Sequence, residues 1–223
     1  MKSTSEKTCV ILATGPSIRD FDLSKIEADV VIGVNDAITF YKPDIWFTLD
    51  VSPVNEVIME NPVDGVYYIC APTRDKIERV PNHVEKLNLI VRGDYPNDEE
   101  LYGYSLEPSV LESPEWWFWK WRCMPGLAEA EIAVHSGNSP YGALNLAYTM
   151  GFGKIVLLGV DGTQEDKVVG GAPRELFHLP LLFSSATGQL LKRGTKVVLG
   201  SPKSRVKCFY RMQPEAALEW LND

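Results

Sequence analysis

The first strongly patterned stretch of the chain is CVILATGPS, Cys9 to Ser17, an unbroken apolar run that stops at Gly15-Pro16-Ser17. A run of this kind, closed by a turn signal, predicts a strand buried on both faces. IRDFDLSKI follows with apolar residues at helix-like spacing and predicts a helix. The rhythm then repeats. DVVIGVNDAI, from Asp29, predicts a second strand running into Asn35-Asp36, and IWFTLDVSP a third that ends at Asp50. VNEVIME predicts a short helix, GVYYICAP (Gly65 to Pro72) a fourth strand, RDKIERVP a helix up to Pro81, and KLNLIVRG another strand. Strands that alternate with helical segments and are too apolar to keep a wet face predict an α/β chain. Its sheet is mostly parallel, with helices on both faces. Ligands of such sheets sit outside the carboxyl ends of the strands, where the strand order reverses, so Gly15–Ser17, Asn35-Asp36 and Asp50 should converge there.

From about Gly93 to Ala133 the rhythm breaks. This stretch is acidic and then intensely aromatic, with Trp116, Trp117, Phe118, Trp119 and Trp121 in quick succession and four interspersed prolines. It predicts an irregular, aromatic-rich insertion within one domain spanning residues 1–223. One use of the tryptophans is a lid or acceptor-binding wall, stacking on a sugar or a base. Packing of an irregular excursion, or a homo-oligomer interface, is the other. Regular patterning returns at HSGNSPYGALNLAYTMGFGKIVLLGVDGT, which predicts a polar turn, a helix closed by Gly151 and a strand with Asp161 just past its end. KVVLG predicts a further strand, and MQPEAALEWL a final amphipathic helix with Pro214 in its first turn.

Composition narrows the function classes. The 223 residues are 45% hydrophobic, enough for a sizeable core, and the net charge of −8 with a pI near 5.0 argues against a broad nucleic-acid surface. Cys9, Cys70, Cys123 and Cys208 show no paired spacing, which predicts reduced thiols and a cytoplasmic chain. The apolar run CVILA is too short for a signal-peptide core or a membrane span.

Candidate chemistry gathers at the turns. Gly15 lets backbone be approached closely, Pro16 stiffens the exit, and Ser17 is a candidate N-cap beside outward N–H groups that favour an anion. Ser136-Gly137-Asn138-Ser139 is a second turn suited to an anion or a nucleotide base. Asp36, Asp50 and Asp161 are placed to hold Mg²⁺ near a polyphosphate or to bond ribose hydroxyls, with turn formation and capping as their structural alternative. His178 follows the glycine-rich, charged loop QEDKVVGGAPRELFH, a segment able to close over a substrate, and a histidine there can take a proton from a hydroxyl. Its structural alternative is packing against Leu179 and Pro180. In the locally basic carboxyl-terminal segment, Ser201, Lys203 and Arg205 follow a strand, where a cation can neutralise a phosphate or simply face solvent.

The succession ATGPS, VNDA, FTLD and SGNSPYGALNLAYTMGFGKIVLLGVD resembles the Rossmann-like fold shared by the bacterial family 42 sialyltransferases and the 6-hydroxymethylpterin diphosphokinase-like proteins. The likeness covers the chain through about residue 50 and much of it from Gly137 onward. It implies that the two turns embrace a nucleotide, CMP in the sialyltransferases and ATP in the diphosphokinases. On this likeness Thr14, Gly15, Pro16 and Ser17 form the first nucleotide turn, with Thr14 where an asparagine is usual. Asn35 is the second strand's amide, and Ser136, Gly137, Asn138 and Ser139 form the second turn. His178 falls near the general base. Asp50 departs from the sialyltransferases, which resemble it with an asparagine, and agrees better with the diphosphokinase-like proteins. The paired tyrosines of the sialyltransferases are replaced after Asp161 by Gly162-Thr163. The resemblance therefore implies a nucleotide-sugar-dependent glycosyltransferase using a CMP-type donor and an acceptor hydroxyl. Its alternatives are a Mg²⁺-dependent diphosphokinase with Asp36 and Asp50 on the metal, and a non-catalytic nucleotide-binding or assembly protein.

Overall fold

The computed structural model describes residues 7–93, 113–163, 167–168 and 176–223. Its centre is an eight-stranded sheet in which every pairing is parallel. Its first four strands are β1 (Thr8–Leu12), β2 (Val30–Val34), β3 (Ile45–Thr48) and β4 (Tyr67–Cys70), and they are joined by β5 (Glu85–Lys86), β8 (Lys154–Leu158), β9 (Lys196–Leu199) and β10 (Tyr210–Arg211). The order is β10-β9-β8-β1-β2-β3-β4-β5. The chain thus leaves β1 in one direction and returns to its other side at β8, so the order reverses between β1 and β8. β6 (Asn88–Ile90) and β7 (Ala133–His135) form a separate parallel pair.

β1 is wholly buried because it alternates between two cores. Cys9, Ile11 and Ala13 pack with α3 (Ser139–Thr149) and α4 (Leu179–Arg193), whereas Val10 and Leu12 pack with Ala217, Leu218 and Leu221 of α5 (Pro214–Asn222). Helices therefore cover both faces, as the continuous apolar strands require. A third cluster around Trp46, Tyr68 and Met59 seats α1 (Pro53–Glu60). All four cysteines are free thiols, and burial pushes Cys70 and Cys123 up to about 12. No helix among the described residues is long and apolar enough to cross a membrane.

Several elements differ from the pattern-based expectation, among them two short strands, β7 and β10, that it did not contain. The helix expected over IRDFDLSKI is two 3-10 turns, Pro16–Ile18 and Leu23–Lys25. Asp22 accepts hydrogen bonds from the Ser24 N–H and hydroxyl, a local competitor to helical bonding. The strand expected over KLNLIVRG is split: the Leu87 N–H donates to Cys70 in the main sheet, and the next N–H, of Asn88, turns to Ile132. Finally, α4, the longest helix among the described residues, forms where the apolar pattern predicts no element. Ser184, Ser185, Thr187 and Gly188 lower its propensity, yet Leu179, Leu182, Phe183, Ala186 and Leu190 give it a buried helical stripe.

Of the aromatic stretch, α2 (Pro114–Lys120) is described, while residues 94–112 lie outside the described residues. α2 packs against α4, with Trp117 buried and Trp121 stacked on it at 6.1 Å. The Lys120 ammonium rests 4.5 Å from the Trp117 ring centre.

Candidate functional site

The carboxyl ends of β1 and β8 are locked together by backbone. The Ala13 N–H donates to Leu158 and the Gly15 N–H to Gly159, both at 2.8 Å. Gly159 turns with φ +68, and a Cβ on it would lie 2.4 Å from the Ala13 carbonyl oxygen. Gly15 is equally constrained. A Cβ there would meet the Gly159 oxygen and the Asp161 carboxylate, each at 2.4 Å. The close approach for which Gly15 is needed is thus made by the chain itself. Gly15, and not Ser17, is the cap of the first 3-10 turn, and the Ser17 N–H donates to Asp161 Oδ2 at 2.8 Å. The outward amide expected to meet a ligand anion already holds a carboxylate of the protein.

At the end of β2, Asn35 adopts the left-handed conformation with φ +51. Its carbonyl accepts from Trp46 Nε1, and its Oδ1 from Thr48 Oγ1 at 2.6 Å and Asn55 Nδ2 at 3.4 Å. The amide oxygen being engaged, the Asn35 side-chain NH₂ is the group presented to the cleft. Asp36 faces Lys167 at 3.8 Å and Asp50 faces Lys76 at 3.7 Å. The described residues contain no group of three or more His, Cys, Asp or Glu able to hold a metal.

The second turn is built from below. Ser136 Oγ donates to the Arg122 carbonyl, and the Ser139 hydroxyl accepts from the Leu49 N–H. Gly137, at φ +143, has no room for a Cβ above Leu182 and Cys123. Asn145, fully buried in α3, braces the segment before this turn. Its Oδ1 accepts from the Ala128 and His135 N–H groups, and its Nδ2 donates to Ala128. Asn145→Ala strands a buried amide at Ala128 and a partly buried one at His135, so urea denaturation should show a loss of about 3 kcal/mol; a change within 0.5 kcal/mol, roughly that of an ordinary surface substitution, would contradict this bracing role.

His178 is 1% exposed. Its Nε2 lies 3.3 Å from the Gly137 carbonyl, which can only accept, so Nε2 carries the proton and Nδ1 has a bare lone pair. Burial lowers its pKa to about 4, partly offset by the Gly137 carbonyl. At neutral pH the ring is uncharged.

Two clefts open on this rim. A narrow one of about 110 Å³ lies at the β1/β8 reversal, lined by Thr14, Gly15, Asn35, Asn138, Asp161 and Lys167 among others. A wide one of about 1560 Å³ is lined by Asp36, Asp50, Ser139, His178, Trp117 and Trp121 among others, Ser136 included. Asn35, Asn138, Lys167 and Leu176 line both. No family model, curated protein or solved structure matches this chain.

The first and second turns, with Asn35, Asp36, Asp50, Asp161 and His178, are brought to one rim. Ser17, Ser201, Lys203 and Arg205 line neither cleft. Ser201 is fully buried, and the Arg205 guanidinium lies over the Phe177 ring, 5.2 Å from its centre. Thr163 and Lys167 also line the narrow cleft, and Lys167 belongs to the charged, glycine-rich loop before His178. Residues 164–166 and 169–175 of that loop lie outside the described residues.

Eight buried side-chain polar atoms have no hydrogen-bond partner among the described residues. They are Ser17 Oγ, Asn55 Oδ1, Trp116 Nε1, Asn138 Oδ1, Asp161 Oδ1, Thr163 Oγ1, His178 Nδ1 and Ser201 Oγ. Buried polar groups are ordinarily satisfied, and an orphan costs about 1–3 kcal/mol. Five of the eight, on Asn55, Asn138, Asp161, Thr163 and His178, belong to residues that line the two clefts.

Proposed function

We propose that this chain is a nucleotide-sugar-dependent glycosyltransferase of the Rossmann-like, sialyltransferase-like kind, acting on an acceptor hydroxyl. The orphaned polar atoms around the strand-order reversal carry this reading, because they offer partners to a hydroxyl-rich ligand where open parallel sheets take theirs. A CMP-type donor would lie across the β1/β8 reversal, between Thr14–Ser17 and Ser136–Ser139. Asn35 would offer its NH₂ to that donor, and Lys167 is the cation nearest to hand for its phosphate. The acceptor would enter the wide cleft along Trp117 and Trp121, giving the aromatic stretch its role as an acceptor wall. The acceptor oxygen forms a bond to the anomeric carbon as the bond from that carbon to the phosphate oxygen breaks. The electron pair leaves with the nucleotide, and the acceptor's proton passes to His178 Nδ1.

The Mg²⁺-dependent diphosphokinase reading is less well supported, since Asp36 and Asp50 each already face a lysine. A thermal-shift panel of CMP, UDP and ATP, each with and without Mg²⁺, separates the readings. CMP without metal at a hundred times its Kd should raise Tm by about 5–10 °C. Stabilisation by ATP only with Mg²⁺ would transfer the case to the diphosphokinase. No shift with any nucleotide would leave the non-catalytic assembly protein.

A further inference from the structure

The narrow cleft at the β1/β8 reversal has a carboxylate where a phosphate-binding turn would have its anion. Asp161 is 4% exposed, and its position is fixed twice: the Ser17 N–H donates to Oδ2, and the Asp161 carbonyl accepts from the Arg205 N–H. Gly15 makes the space for that carboxylate, whose Oδ2 would lie 2.4 Å from any Cβ there. The amide of the first turn is therefore already taken by a carboxylate, which repels a phosphate. Asp161 Oδ1 remains buried with no partner among the described residues, as do Thr163 Oγ1 and Asn138 Oδ1 on the same cleft wall. These three oxygens can all accept, so the missing complement is a group that donates several hydrogen bonds at once. The rest of the wall includes apolar Ala13, Val34, Val160, Leu176 and Leu179. A volume of about 110 Å³ admits roughly seven to ten water-sized groups, the size of one furanose with its hydroxyls and too small for a whole nucleotide.

From this geometry we infer that Asp161 is the specificity-determining residue of a ribose subsite. It accepts from the 2′ and 3′ hydroxyls of the nucleotide, while the phosphate is directed away from the first turn, towards Asn138–Ser139 and Lys167. This rests on the nucleotide reading for its ligand but not for its test. A buried carboxylate oxygen discriminates strongly, because a 2′-deoxy ligand leaves it without a donor.

The test compares CMP with 2′-deoxy-CMP, and the corresponding uridine and adenosine pairs, by calorimetry on the full chain. Methyl β-D-ribofuranoside and its 2-deoxy analogue are compared in parallel by ligand-observed NMR. In the native protein the ribo form should bind at least tenfold more tightly than its deoxy partner. Asp161→Asn and Thr163→Val should each reduce that ratio, Asp161→Asn to within about twofold, and the native comparison alone decides the matter if either variant does not fold. Nucleotides that bind with equal affinity in ribo and deoxy forms overturn the ribose subsite and leave nucleotide binding standing. Ribofuranoside preference with no nucleotide binding supports the subsite and overturns the nucleotide reading. Binding of none of these probes overturns both.

Discussion

Gly159→Ala should destabilise the protein by about 3 kcal/mol or more and lower Tm by roughly 10 °C, with loss of any nucleotide-induced shift. Two costs add. At φ +68 an alanine pays about 1–2 kcal/mol for the left-handed conformation, and its Cβ is driven to 2.4 Å from the Ala13 oxygen and 2.8 Å from its carbonyl carbon. Both atoms are backbone at the end of the most buried strand, so neither can swing away. Relief requires β1 and β8 to part at the very point where the cleft is built. Gly194 supplies the control. It has a similar φ of +76 at the end of α4, but nothing lies within 4 Å of a Cβ there, so Gly194→Ala should cost only the conformational part, about 1 kcal/mol. Equal losses from the two variants in thermal melts would show that the β1/β8 junction yields easily and does not shape the site.

The second large effect is on pH dependence. His178 has its pKa lowered by burial to about 4, against about 6.5 when unfolded. Between those values the unfolded chain binds the proton that the folded chain refuses, so this contribution to stability is present above pH 6.5 and lost as pH falls towards 4. From pH 7.5 to pH 5 the loss is about 2 kcal/mol. His178→Gln cannot titrate. Denaturant midpoints for the two proteins should therefore converge as the pH drops, the variant being less stable at pH 7.5 because the Gly137 carbonyl and the surrounding packing lose their partner. Parallel pH curves would mean that the ring is hydrated and not held in the interior. If His178 also serves as the proposed base, the acid limb of kcat/KM should lie near pH 4 and not near 6.5. His178→Gln would then abolish transfer while sparing the nucleotide-induced thermal shift.

Much of the framework was legible along the chain. Continuous apolar runs at Cys9, Val30, Ile45 and Lys154 could be stable only as strands covered on both faces, and the turn residues beyond them had to fall on one rim because the strands are parallel. Short-range competition was harder to see. Asp22 diverts Ser24 from a helix, and a one-residue handover at Leu87 moves the chain from one sheet to another. Both depend on single hydrogen bonds that periodicity averages away. α4 was missed for the opposite reason, since its tertiary stripe of Leu182, Phe183, Ala186 and Leu190 outweighs weak local propensity.

Strand identity, strand direction and the set of residues at the rim follow from the order of apolar and polar positions, because burying an apolar strand and satisfying its backbone leave few arrangements open. What each rim residue faces was decided only in three dimensions. Asp161 and Ser17 stand 144 positions apart, yet one carboxylate oxygen fills the amide that the local turn alone would leave open to a ligand. Burial set the charge state of His178, and neighbouring lysines engaged Asp36 and Asp50. Such long-range pairings are properties of packing, and no local pattern of residues encodes them.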